Sequence, residues 1–107
     1  MVFVIQNTKE LDLSAAEKYG EIHLLFDKKV QAWSEPYTND ALRYLDEELC
    51  GFTDDDYLLL MGDPVLIGAA TAIACKWNYG DAKTLKWDGR ANTYKEVSIK
   101  IFAKERV

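Results

Sequence analysis

The sequence predicts an α/β fold, a small three-layer sandwich whose mostly parallel sheet has about five strands and ends in a C-terminal antiparallel β-hairpin. Two observations carry this. Short apolar runs alternate with stretches of helical periodicity, the pattern of a parallel sheet covered on both faces. The last quarter then changes to strict alternation around a polar turn, the pattern of a hairpin with one wet side. With right-handed crossovers, few layouts remain, and we expect the first and third strands at the centre and the hairpin at one edge. At 107 residues, nearly half of them apolar or aromatic, the chain is read as one domain, 1–107, able to bury a core without metals or disulfides.

The first strand is Val2-Phe3-Val4-Ile5, β-branched and apolar throughout. Ser14-Ala15-Ala16-Glu17 has the form of a capping box, and Gly20 stands where a short helix would end. Ile22-His23-Leu24-Leu25-Phe26 is the second strand. Residues 27–37 are irregular, with Pro36 expected to keep a helix from running through them. Thr38 or Asn39 is then expected to cap a helix to about Cys50, with Leu42, Leu45, Leu49 and Phe52 forming its apolar stripe. Thr53 to Asp56 is a polar turn, and Tyr57 to Met61 the third strand.

Gly62-Asp63-Pro64 follows that strand and opens an apolar helix ending near Asn78-Tyr79-Gly80. A strand turning at glycine into a helix is where many α/β proteins hold phosphate. Here there is one glycine and no following lysine, while Asp63 can cap the helix and Pro64 suits its first position. The motif therefore reads as a helix start. The helix itself, from Val65 to Cys75, has almost no polar residue. Either the rest of the chain buries it all round or a second copy covers it. Its small residues permit close approach, and Leu66, Ala69, Ala70, Ile73 and Trp77 are the candidate interface. Trp33 and Tyr37, in the irregular segment, are candidate protein contacts because exposed aromatic anchors dominate interfaces.

The hairpin pairs a strand around Thr84-Leu85-Lys86-Trp87 with one from Tyr94 to Ile101, Val97, Ile99 and Ile101 sharing the inner face. Ala103 to Val107 is read as a charged, frayed end.

Ligands of open α/β sheets sit beyond the carboxyl ends of the strands. Those ends carry Gln6, Asn7, Asp27, Gly62 and Asp63, the candidate ligand-binding set for a small molecule or nucleotide. Carboxylates grouped there can also bind metal or exchange protons, but aspartate at turns has a conformational explanation. His23 has no partner nucleophile or second histidine and reads as a packed or edge residue. No catalytic set, metal set or cofactor is expected. Cys50 and Cys75 match no zinc or redox spacing and are read as buried free thiols, as in a reducing cytosol.

The 18 acidic residues outnumber the 13 basic ones, for a formal charge of −5, which opposes non-specific binding to nucleic acid or anionic membrane. Lys83, Lys86, Arg90 and Lys95 gather in the hairpin among aromatic residues, but Asp81, Asp88 and Glu96 offset them. Nucleic-acid binding through the hairpin is thus the weaker alternative. No apolar run reaches the roughly 20 residues of a membrane span, and the first ten residues lack the form of a secretory signal.

Asp56 to Leu60, Gly62-Asp63-Pro64, Leu85-Lys86-Trp87-Asp88 and Tyr94 together resemble a group of short proteins of tailed bacteriophages, marine ones among them, with the pattern D-Y-L-L-L-x-G-D-P followed by an alanine-rich helix and then L-K-W-D. The likeness covers somewhat under half of the chain, and Gly89 intervenes where an arginine would follow Trp87-Asp88. The resemblance implies an origin and a compartment, the cytoplasm of an infected bacterium, and no activity. The expectation is a non-enzymatic phage accessory protein that binds a host or viral protein partner and forms a homodimer.

Overall fold

A computed structural model describes residues 1–102; the expected frayed end, Ala103 to Val107, lies outside them. Five strands form one sheet: β1 (Val2–Gln6), β2 (Ile22–Phe26), β3 (Tyr57–Leu59), β4 (Asp81–Asp88) and β5 (Thr93–Lys100). Their order is β2-β1-β3-β4-β5. The first three contacts are parallel, and β4–β5 is antiparallel. The first and third strands are central and the hairpin is at the edge, as the alternation of elements predicted.

Two α-helices, α1 (Glu35–Leu49) and α2 (Pro64–Trp77), cover one face of the sheet. Phe3, Ile5 and Leu58 point from the strands into a core shared with Leu45, Leu49, Leu66, Ala70 and Ala74. The alternate residues Val2, Val4, Leu59, Leu85 and Tyr94 face the other way, as strand alternation requires. That face is covered by a 3-10 helix, Ser14–Tyr19, through Ala16. The third layer is therefore a thin one. Asp46 joins the two α-helices: its Oδ1 accepts from Lys76 Nζ at 2.7 Å and from Trp77 Nε1 at 2.8 Å.

Several local expectations are corrected. Helix α1 begins four or five residues earlier than expected, with Ser34 at its N-cap and Pro36 in the first turn. There a missing N–H costs nothing, because the first-turn donors have no intrahelical acceptor. The Ser14 capping box does not form. Ser14 lies inside the 3-10 helix, and its N–H donates to Asp12 Oδ1 at 2.9 Å, which holds the Asp12 carboxyl below the usual range. Cys50 is exposed; only Cys75 is buried, because Cys50 falls past the last turn of α1. Val97 is 47% exposed, since neither α-helix reaches that far over the hairpin.

Helix α2 is not enclosed on every side. Leu66 and Ala70 are buried against the sheet, Ala69 and Ile73 are half-buried, and Val65, Gly68 and Ala72 form an exposed line. Among the described residues no helix is long and apolar enough to cross a membrane.

Candidate functional site

The carboxyl ends of β1, β2 and β3 meet around one side chain, Gln6. It is completely buried. Its Nε2 donates to the carbonyls of Asp27 at 2.8 Å and Val30 at 2.7 Å, just after β2. Its Oε1 accepts from the backbone N–H of Asp63 at 2.8 Å, at the entry to α2. Its own N–H donates to the Met61 carbonyl at 3.1 Å. The amide thus uses both donor hydrogens and an acceptor to hold three strand ends, and this is what a buried amide requires.

Gly62 makes the arrangement possible. Its φ is +117°, and a Cβ there would overlap the Cβ of Gln6, so the chain can pass this close only at glycine. Asp63 then acts as the N-cap of α2: its Oδ1 accepts from Val65 N–H at 2.8 Å, and its Oδ2 from Ala32 N–H at 3.3 Å. Asp27 Oδ1 accepts from Lys29 N–H at 2.9 Å. Asn7 closes the next loop by exchanging two hydrogen bonds with the backbone of Leu11, each 2.9 Å.

The five residues singled out as a ligand set are therefore brought to one end of the sheet, and Gln6, Asn7, Asp27 and Asp63 each bond to protein there. Among the described residues no buried side-chain nitrogen or oxygen lacks a partner, and no group of three potential ligands is placed to hold a metal. His23 lies on the edge strand, its Nε2 3.5 Å from Glu48 Oε1 and its ring edge-on to Phe3 at 5.6 Å.

One surface groove, about 400 Å³, lies at the strand ends themselves, among Asn7, Leu11, Leu24, Asp27 and Lys28, and two more lie on other surfaces. The first of these two runs between β2 and the start of α1, with a volume of about 410 Å³ and a floor of Leu25, Phe26, Val30, Ala41 and Tyr44. The Tyr44 hydroxyl donates to the Leu25 carbonyl at 2.7 Å, and its ring packs on Phe26 at 5.2 Å. Burial, with Glu48 nearby, pushes its pKa up. Tyr37, 65% exposed, stands at the rim, and Trp33, 83% exposed, projects from the segment leading into α1. The sequence marked these two aromatics. It did not mark the floor, whose residues come from β2, α1 and the intervening loop.

The second of the two, about 580 Å³, lies on the hairpin among Lys86, Trp87, Asp88, Arg90, Lys95 and Val97. Its cations are partly answered: Lys95 Nζ is 2.9 Å from Asp88 Oδ2, and that pairing is the first reason the Asp88 carboxyl is held below its usual range. Trp87 packs edge-on to Tyr94 at 5.0 Å, a cross-strand pair of the kind that stabilises hairpins.

No curated protein matches the chain, and no solved structure does. The family described as Phage Pam3 gp32-like protein matches it over residues 1–101. The chain belongs to that family.

Proposed function

We propose that this member of the Phage Pam3 gp32-like family is a small, non-catalytic accessory protein that acts by binding another protein, host or viral, in the cytoplasm of the infected bacterium. The observation that carries the proposal is Trp33, 83% exposed, with Tyr37 at the rim of an apolar groove. Large aromatics bury much area at low entropic cost on docking, and interfaces concentrate their energy on them.

The test is co-purification from phage-infected cells with the tagged full chain and with a Trp33→Ala/Tyr37→Ala variant. A protein that accompanies the wild type and is lost from the variant supports the proposal. The same set of proteins with both, or none with either, refutes it.

Self-association is part of the proposal, as the sequence led us to expect. Among the described residues two surfaces could serve it: the exposed line of Val65, Gly68 and Ala72 on α2, and the edge of β5.

A further inference from the structure

We infer that two copies of the chain join edge to edge through β5, antiparallel about a two-fold axis at Ser98, to form a continuous ten-stranded sheet. The inference rests on the self-association just proposed and assigns it a place and a register.

Among the described residues β5 is the last strand of the sheet, and its outer edge has no neighbour. It spans eight residues without proline, and Lys95 through Ser98 are all exposed. An edge of this length presents unpaired backbone groups to any strand that fits. Which groups these are follows from the ladder. Ile101 N–H donates inward to the Gly80 carbonyl at 2.9 Å, and the β4–β5 register continues Asp81↔Lys100, Ala82↔Ile99, Lys83↔Ser98. In an antiparallel ladder the bonded pairs alternate. Odd-numbered residues therefore bond to β4, and Glu96, Ser98 and Lys100 direct their N–H and C=O groups outward.

A two-fold axis through Ser98 sets Ser98 opposite its own copy and Glu96 opposite Lys100, twice. All three are outward-bonding residues, so the backbone ladder closes. On the other face Val97 meets Ile99, twice, and the 47% of Val97 now exposed gains an apolar neighbour. No other register of β5 against itself pairs opposite charges. Axes at Glu96 or Lys100 put like charges face to face, and an axis at Val97 sets Glu96 against Ser98. Lys95 does not disturb the pattern, because Asp88 already pairs with it. Directly opposed charges on neighbouring strands favour a register, and like charges oppose it. The interface is isologous, as a closed dimer requires. The other edge strand, Ile22-His23-Leu24-Leu25-Phe26, has no such charge pattern.

The test is sedimentation of the full chain across micromolar concentrations, for wild type, Glu96→Lys, Lys100→Glu and the double exchange. We expect a wild-type dimer, a dissociation constant raised about tenfold by either single change because two pairs are lost at once, and recovery in the double variant. Glu96 and Lys100 are exposed in both copies; because Glu96 also reaches the Tyr57 hydroxyl, the thermal midpoint of each variant is read alongside, and an unchanged midpoint assigns any loss of dimer to the interface. Ser98→Pro removes an outward N–H that β4 does not use, and should give a monomer. A monomeric wild type would overturn both this inference and the self-association it rests on. A dimer indifferent to the single changes, or not restored by the exchange, would overturn the β5 register alone.

Discussion

The side chain of Gln6 accepts a hydrogen bond from the backbone N–H of Asp63, 57 residues further along the chain, at 2.8 Å. Together with the two carbonyls held by its Nε2, this bond joins β1, the loop after β2 and the entry to α2. Three strand ends are thereby tied to one buried side chain.

Replacing Gln6 by leucine, of similar size, should therefore be costly. It would strand a buried N–H and leave two carbonyls short of a donor. The expected loss is about 2–4 kcal/mol, read from urea unfolding. A loss below about 0.5 kcal/mol would show that these bonds do not hold the strand ends together.

Gly62→Ala should destabilise the fold to a similar degree, about 2–4 kcal/mol. Its φ of +117° strains any other residue, and the added Cβ would meet Gln6. Gly68→Ala serves as the control: Gly68 lies on α2 with open space around it, so alanine there should stabilise by up to about 1 kcal/mol. The two alanine variants should move the thermal midpoint in opposite directions.

The helix-joining aspartate should show in acid. Lys76 first, then Trp77, hold the Asp46 carboxyl below its ordinary value of 3.8. A carboxylate with a lowered folded-state pKa stabilises the protein above the unfolded value, and that contribution is lost as pH falls through the lowered one. Thermal midpoints measured downward from neutral pH should thus hold until about pH 4 and then fall. Asp46→Asn should start lower at neutral pH and fall less steeply below that point.

The two thiols should differ. Cys50 is exposed and Cys75 buried, and burial raises the Cys75 pKa, which lowers its thiolate fraction. A thiol reagent at neutral pH should modify one equivalent rapidly and the second only on unfolding. Cys50→Ser should remove the fast phase.

How far the sequence announced this structure depends on the range of the interactions involved. The strand order followed from apolar runs, one alternating hairpin and the handedness of crossovers, all of them local patterns or general rules. Asp63 and Pro64 were readable as a helix start because capping involves neighbours in sequence. Pro36 misled in the other direction: taken as a barrier, it sits in the first turn of α1, where the local pattern permits either role. The role of Gln6 was not legible, because its partners Asp27, Val30 and Asp63 become neighbours only when three strands align. The sequence did place Gln6, Asp27 and Asp63 at strand ends, as candidate ligand residues, but gave Val30 no part. For the same reason Trp33 and Tyr37 were recognisable, whereas the groove beside them, assembled from β2 and α1, was not.

On the proposed function the protein works through contacts made by the surface at Trp33. The most direct measurement places a photo-cross-linking residue at position 33, and separately at position 87 in the hairpin groove, in full-length protein expressed during infection. A discrete protein adduct is expected from position 33 and none from position 87. Adducts from position 87 alone, or none from position 33, would contradict the proposal.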